Sequence, residues 1–178
     1  MAIRSSNRDR NRWAVSLLEV HPGHRVLEIG FGPGIAIKEL SRHATRGVVC
    51  GVDHSEVMRR QAARRNARAI REGRVILQTG SADRLPAFGE PFDRILAVNN
   101  LGMWPDPDRT MAHLRWLLRS GGRIAIVSQP RCPGANEHTT AAVVGDVRDR
   151  LEVAGFDCLR TETLMLKPPV ACVLGEVP

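Results

Sequence analysis

The feature that most constrains this chain is a short apolar strand running straight into a glycine-rich turn, Glu28-Ile29-Gly30-Phe31-Gly32-Pro33-Gly34. Residues 25–29 are strand-sized and residues 35–43 carry helical periodicity, so the turn reverses the chain between a strand and a helix. The alternation continues: further strands are expected at 47–52, 75–78, 92–98 and 123–128. Helices are expected at 11–20, along the Arg-rich stretch 59–74, at 108–118 and at 140–154. Ser55 is placed to cap the Arg-rich helix. Ser120-Gly121-Gly122 reads as the stop before the fifth strand, and residues 129–136 as a loop. Two last strand-like runs, 157–166 and 170–174, are separated only by Lys167-Pro168-Pro169, a link that suits a hairpin and leaves no room for a crossover helix. The pattern predicts an α/β fold: a doubly wound, mostly parallel sheet with helices on both faces and a C-terminal antiparallel hairpin. With no repeat or linker, a single domain over 1–178 is expected, residues 1–22 forming an N-terminal arm and helix.

Composition narrows the class. At 178 residues with 43% hydrophobic and 25% charged residues, the chain can bury a full core. No apolar run approaches the roughly 20 residues of a membrane span, and the polar, Arg-rich start lacks a secretory signal, so a cytoplasmic protein is expected. Cys50, Cys132, Cys158 and Cys172 are widely separated, with no C-x-x-C pair and no nearby His cluster, so no metal site is expected. Cys50, Cys158 and Cys172 read as buried thiols, and Cys132 as a loop cysteine. The net charge of +7 invites a nucleic-acid partner. Almost all the cations are Arg, however, and Arg60, Arg64, Arg68 and Arg71 form one helical stripe with Met58, Ala62, Ala69 and Ile70 facing inward. A solvated helix face accounts for that stripe.

In an open α/β sheet, ligands bind beyond the carboxyl ends of the strands, so the first strand-to-helix turn is the place for a site. Gly30, Gly32 and Gly34 allow close backbone approach. The dinucleotide pattern G-x-G-x-x-G would want its third glycine at position 35, where Ile35 stands. Glu28 would repel a pyrophosphate and favours a ligand bearing an ammonium and a sulfonium, such as S-adenosylmethionine. Asp53, at the end of the second strand, is placed to accept from both hydroxyls of a ribose.

These segments together resemble class I S-adenosylmethionine-dependent methyltransferases. Val26-Leu27-Glu28-Ile29-Gly30-Phe31-Gly32-Pro33-Gly34 is similar to the family's first motif, and Gly51-Val52-Asp53-His54-Ser55-Glu56-Val57-Met58 to its acidic second-strand motif. Gly80-Ser81-Ala82-Asp83-Arg84-Leu85-Pro86 resembles the adenine-contacting segment. Phe92-Asp93-Arg94-Ile95-Leu96-Ala97-Val98-Asn99-Asn100 resembles the fourth-strand motif, and Leu117-Leu118-Arg119-Ser120-Gly121-Gly122-Arg123 the turn before the fifth strand. The resemblance implies a seven-stranded sheet of order 3-2-1-4-5-7-6 and S-adenosyl-L-methionine as cofactor. It implies that Gly30, Gly32 and Gly34 pack against the methionine part, Asp53 holds the ribose and His54 lies against the adenine. Asp83 would accept from the adenine amino group, Ala82 would offer a backbone contact, and the Asn99 carbonyl would receive the ammonium.

No catalytic constellation accompanies these motifs. Methyl transfer from sulfur is an in-line displacement that needs alignment first and a base only when the nucleophile arrives protonated. Trp13, Asn100, Met103 and Trp104 are candidates for the acceptor pocket, with Asn11 and Arg12 folding over from the N-terminal side and Gln129, Arg131 and Cys132 following the fifth strand. His138 is the weak candidate base, and His113 reads as structural. The N-P-P-[YF] motif of enzymes acting on planar amino groups is absent, since the chain reads Asn99-Asn100-Leu101-Gly102, and so is the Pro-Cys pair of cytosine-C5 enzymes. A small-molecule acceptor is the leading reading. A nucleic-acid acceptor, motivated by Arg4, Arg8, Arg10 and Arg12, is the alternative, followed by a non-catalytic cofactor-binding module and, more remotely, a nicotinamide dehydrogenase.

Overall fold

A computed structural model describes residues 2–178, with side chains from Asn7 onward. The elements follow the expected alternation: α1 (Ala2–Leu17), β1 (Arg25–Ile29), α2 (Ile35–His43), β2 (Val48–Asp53), α3 (Glu56–Arg65), α4 (Ala67–Arg71), β3 (Val75–Thr79), β4 (Phe92–Val98), α5 (Pro107–Leu117), β5 (Leu118–Ser128), α6 (Glu137–Val153), β6 (Asp157–Leu164) and β7 (Val170–Glu176). A 3₁₀ turn, Leu101–Met103, follows β4. The strands form one sheet in the order β3-β2-β1-β4-β5-β7-β6. β1 to β5 are parallel, and β7 pairs antiparallel with β5 and β6.

Strand alternation builds the two core layers. Val26, Val49, Val75 and Leu96 face the side covered by α1 to α4, where Ala14, Leu18, Ile37, Leu40 and Ala62 are buried. Leu27, Cys50, Ile95 and Ile126 face the other side, beneath Met111 and Leu114 of α5 and Val147 and Leu151 of α6. Leu96 lies on the central strand with no exposed surface. Leu96→Ala should cost about 2–5 kcal/mol in urea unfolding, because it removes transfer energy and leaves a cavity.

The differences from sequence expectation have local causes. α1 begins nine residues earlier than its apolar periodicity suggested. Its buried polar residues, Arg10 and Asn11, give no apolar signal, yet Arg10 reaches Gln129 at 2.7 Å. It stops at Leu17, where Glu19 turns left-handed (φ 50°) and Arg94 Nε donates to the Leu18 carbonyl at 2.7 Å. The Arg-rich helix is two helices. Asn66 breaks it, its side-chain amide donating to the carbonyls of Ala62 (2.9 Å) and Gly34 (3.1 Å). The Arg60, Arg64, Arg68 and Arg71 stripe is exposed as expected. β5 starts at Leu118, absorbing the expected Ser120-Gly121-Gly122 stop into an irregular pairing with β4. Cys158 is exposed, not buried, because it sits at φ 53° where the edge strand β6 slips register against β7. His113 is exposed on α5. No described helix is long and apolar enough to cross a membrane, and no group of metal-binding side chains occurs among the described residues.

Candidate active site

The strand order reverses between β1 and β4, and the glycine turn lies at that switch point. Gly30 has φ 66°, and a Cβ there would stand 2.1 Å from Asn100 Nδ2. That amide belongs to a buried Asn100 and donates to the Ile29 carbonyl, so β1 and the segment after β4 are locked together through a residue that can only be glycine. Gly34 (φ 75°) is required for a different reason: α3 rests on it, with Ala62 Cβ 2.7 Å from the position a Cβ would take.

Alternation along β1 and β2 turns Glu28 and Asp53 to the same face. Asp53, 5% exposed, organises the turn: Oδ2 accepts from the Gly32 amide at 2.7 Å and Oδ1 from the Ser55 amide at 2.8 Å. Each carboxylate oxygen retains a free lone pair. Ser55 caps α3 as expected, its hydroxyl accepting from the Met58 amide.

Glu28 is buried beneath the turn. Burial, then the nearby Asp53 charge, push its carboxyl well above the ordinary 4.5, opposed by a hydrogen bond from the Ile37 amide. Its Oε2 is buried without a partner. Because the fold raises this pKa, it binds the proton more tightly than the unfolded chain. The contribution of Glu28 to stability is therefore fully present below pH 4.5 and is lost as pH climbs toward and through the raised value. Glu28→Gln should melt above the unmodified protein at about pH 8, the gap closing toward pH 4.5 in melting curves of ligand-free protein. Parallel curves would contradict this assignment.

Above the turn lies a cleft of about 170 Å³, lined by Ile29, Gly30, Val52, Asp53, His54, Gly80, Ser81, Ala82, Asn100, Met103 and Trp104. It gathers Gly30, Asp53, His54 and Ala82 with three of the residues expected for an acceptor pocket. Trp104 is a buried wall that is also part of the core, whereas Met103 is exposed. Asp83 lies just outside, its carboxylate lowered chiefly by a hydrogen bond from the Ser81 hydroxyl. Ile29, Val52, Gly80 and Ser81 also line it; they lie within the same motifs, beside the residues to which the sequence assigned a role.

A second cleft, of about 470 Å³, adjoins the first through Asn100 and is lined also by Asn99, Leu101, Pro107, Gln129, Pro130 and Val143. Asn99 is here, in a left-handed conformation (φ 54°) with Oδ1 accepting from the Gln129 amide at 2.7 Å. Gln129 and Arg131 line it too. Trp13 packs partly buried against the α1–α4 core and lines neither cleft. Arg12 points to Glu39, and Asn11 bonds back to the Asn7 carbonyl. His138 is exposed in the first turn of α6 and reaches neither cleft. The Arg4 side chain lies outside the described residues.

A cleft holding the Asp53 carboxylate at the switch point of a 3-2-1-4-5-7-6 sheet, entered over a G-x-G-x-G turn, defines a class I methyltransferase architecture. A family model described as a methyltransferase domain matches residues 26–122, and the chain belongs to that family, in its S-adenosylmethionine-dependent class I form. It is 28% identical over 175 residues to the uncharacterized methyltransferase YdaC of Bacillus subtilis, covering 98% of this chain and 94% of that one. It is 30% identical over 119 residues to a demethylmenaquinone methyltransferase of Thermobifida fusca, covering 67% of this chain but only 49% of the relative. A crystal structure of an S-adenosylmethionine-dependent methyltransferase from Aquifex aeolicus superposes with a TM-score of 0.75 at 18% identity, over 94% of this chain and 89% of that one.

The residues present fit this cofactor. Asp53 presents its carboxylate to the cleft, a setting that suits a cationic ligand and opposes a pyrophosphate, while Glu28, with its Oε2 unpartnered, lies buried beneath the turn and outside the cleft's lining.

Proposed function

We propose that this protein transfers the methyl group of S-adenosylmethionine to a small-molecule acceptor seated in the cleft beyond β4 and β5. The carrying observation is the pair of clefts joined at Asn100, one holding the Asp53 carboxylate beside the glycine turn, the other walled by Leu101, Pro107, Pro130 and Val143. When bound, the cofactor supplies a methyl group already activated by positive sulfur. Asp53 holds the ribose hydroxyls, His54 and Ala82 flank the adenine, Asp83 accepts from its amino group, and the Asn99 carbonyl receives the ammonium. Gly30 and Gly32 give the backbone its close approach.

The single carboxylate lining the second cleft, Asp146, is held by Arg150 at 2.9 Å, and no histidine lines it. Catalysis then rests on alignment of two reactants in adjoining clefts, which can supply roughly 7–11 kcal/mol of the barrier. The relative named as a demethylmenaquinone methyltransferase supports a small organic acceptor. The test is transfer from methyl-labelled S-adenosylmethionine to a panel of small phenols, thiols, amines and carboxylates, with RNA and DNA in parallel. Label is expected in a small-molecule product. Label confined to nucleic acid would contradict this acceptor class, and absence of turnover with every acceptor would favour a binding module.

A further inference from the structure

The arginine most at odds with its surroundings is Arg10 of α1. It is 5% exposed, yet its partners are neutral: Nη1 donates to Gln129 Oε1 and Nη2 to Asn7 Oδ1, each at 2.7 Å, while Nε is buried without a partner. Arg123, also largely buried, is met by Glu19 and Glu176. No described carboxylate pairs with Arg10, and residues 1–6 contain none. Burial and the nearby Arg131 lower its pKa to about 10. An unpaired buried cation is costly unless a counter-ion arrives.

Arg10 opens onto a cleft of about 490 Å³ lined also by Arg131, Lys167, Gln129 and Pro130, with no Asp or Glu in its lining. Gln129 ties its three walls together. Its Oε1 accepts from Arg10 of α1, its Nε2 donates to the Pro168 carbonyl of the β6–β7 turn at 2.9 Å, and it follows β5 directly. We infer that this cleft receives an oxyanion, carboxylate or phosphoryl, carried by the acceptor. Arg10 would be the buried anchor, with Arg131 and Lys167 the exposed partners.

The assignment rests on the small-molecule reading above. Gln129, Pro130 and Arg131 line both this cleft and the acceptor cleft, so a group attached to an acceptor seated there reaches the cations. The cofactor cleft shares no lining residue with it, but Asn99 stands in the second cleft bonded to Gln129, so the S-adenosylhomocysteine affinity of R131Q/K167Q is what distinguishes an acceptor's anion from the cofactor's own carboxylate. Nη1 and Nη2 of Arg10 each keep a second N–H beyond the bonds to Gln129 and Asn7, and a guanidinium flanked by two further cations is suited to bind carboxylate or phosphate through charge-assisted hydrogen bonds.

The test is calorimetric titration of the S-adenosylhomocysteine-saturated protein with phenyl phosphate, benzoate and neutral benzyl alcohol. At least one anion should bind about tenfold more tightly than the alcohol, and R131Q/K167Q should lose about tenfold of that affinity while its S-adenosylhomocysteine affinity stays unchanged. R10Q should lose as much, and the exposed double variant guards against misfolding at the buried site. Anions binding no better than the alcohol would overturn the inference, as would an unaffected double variant. A double variant about tenfold weaker for S-adenosylhomocysteine would overturn it too, giving the cluster to the cofactor's carboxylate. Failure of S-adenosylhomocysteine itself to bind would strike the cofactor reading beneath, whereas failure of the anions with that ligand seated strikes this inference alone.

Discussion

Asp53→Ala should weaken S-adenosylhomocysteine binding roughly a hundredfold or more, the loss of several hydrogen bonds to a buried charged group. Two effects act together. The carboxylate that would accept from the ribose is gone, and so is the acceptor that holds the Gly32 and Ser55 amides, at 2.7 and 2.8 Å. Asp53→Asn separates them, because the amide oxygen can still accept from one backbone N–H while the charge is lost. It should fall between the unmodified protein and Asp53→Ala in a calorimetric titration. Equal affinity for all three proteins would remove Asp53 from the cofactor site.

The second large effect is expected at Gly30→Ala. The left-handed φ of 66° costs an alanine roughly 1–2 kcal/mol. The new Cβ would also stand 2.1 Å from Nδ2 and 2.9 Å from Cγ of Asn100, which is buried and bonded to the Ile29 carbonyl and cannot swing out. Together these should cost about 2–4 kcal/mol of stability and abolish measurable S-adenosylhomocysteine binding, since the displaced Asn100 lines both clefts. A double-mutant cycle identifies the clash. Adding Asn100→Ala to Gly30→Ala should recover stability, giving a coupling of about 1–3 kcal/mol. Additive losses would mean that backbone conformation alone is at fault.

How far the sequence could be read depended on whether local pattern and tertiary environment agreed. β1, α2 and β4 fall where periodicity and flanking turns put them, because buried parallel strands read as plain apolar runs and the glycine turn marks one junction. The hairpin was legible from the Pro-Pro link. The break at Asn66 was not, since an Asn in a helical pattern signals no break unless its side chain finds a distant acceptor, here the Gly34 carbonyl. The early start of α1 was hidden for the same reason: Arg10 and Asn11 are polar and buried.

The site divides similarly. Gly30, Asp53, His54, Ala82, Asn100, Met103 and Trp104 meet in one cleft because motif positions at strand ends converge at the switch point. Trp13 goes into the packing between α1 and the core, as an aromatic on an amphipathic helix readily does. Arg10 looked like one of several arginines on a basic arm. Only its burial among neutral partners distinguishes it, and burial depends on Gln129, 119 residues away.

A crystal structure with S-adenosylhomocysteine tests the central claim most directly. The ribose hydroxyls should lie within hydrogen-bond distance of the Asp53 carboxylate, with the adenine beside His54 and Ala82 and the sulfur facing the cleft beyond Asn100. A ligand seated elsewhere, leaving the Asp53 oxygens bonded only to the Gly32 and Ser55 amides, would contradict the account.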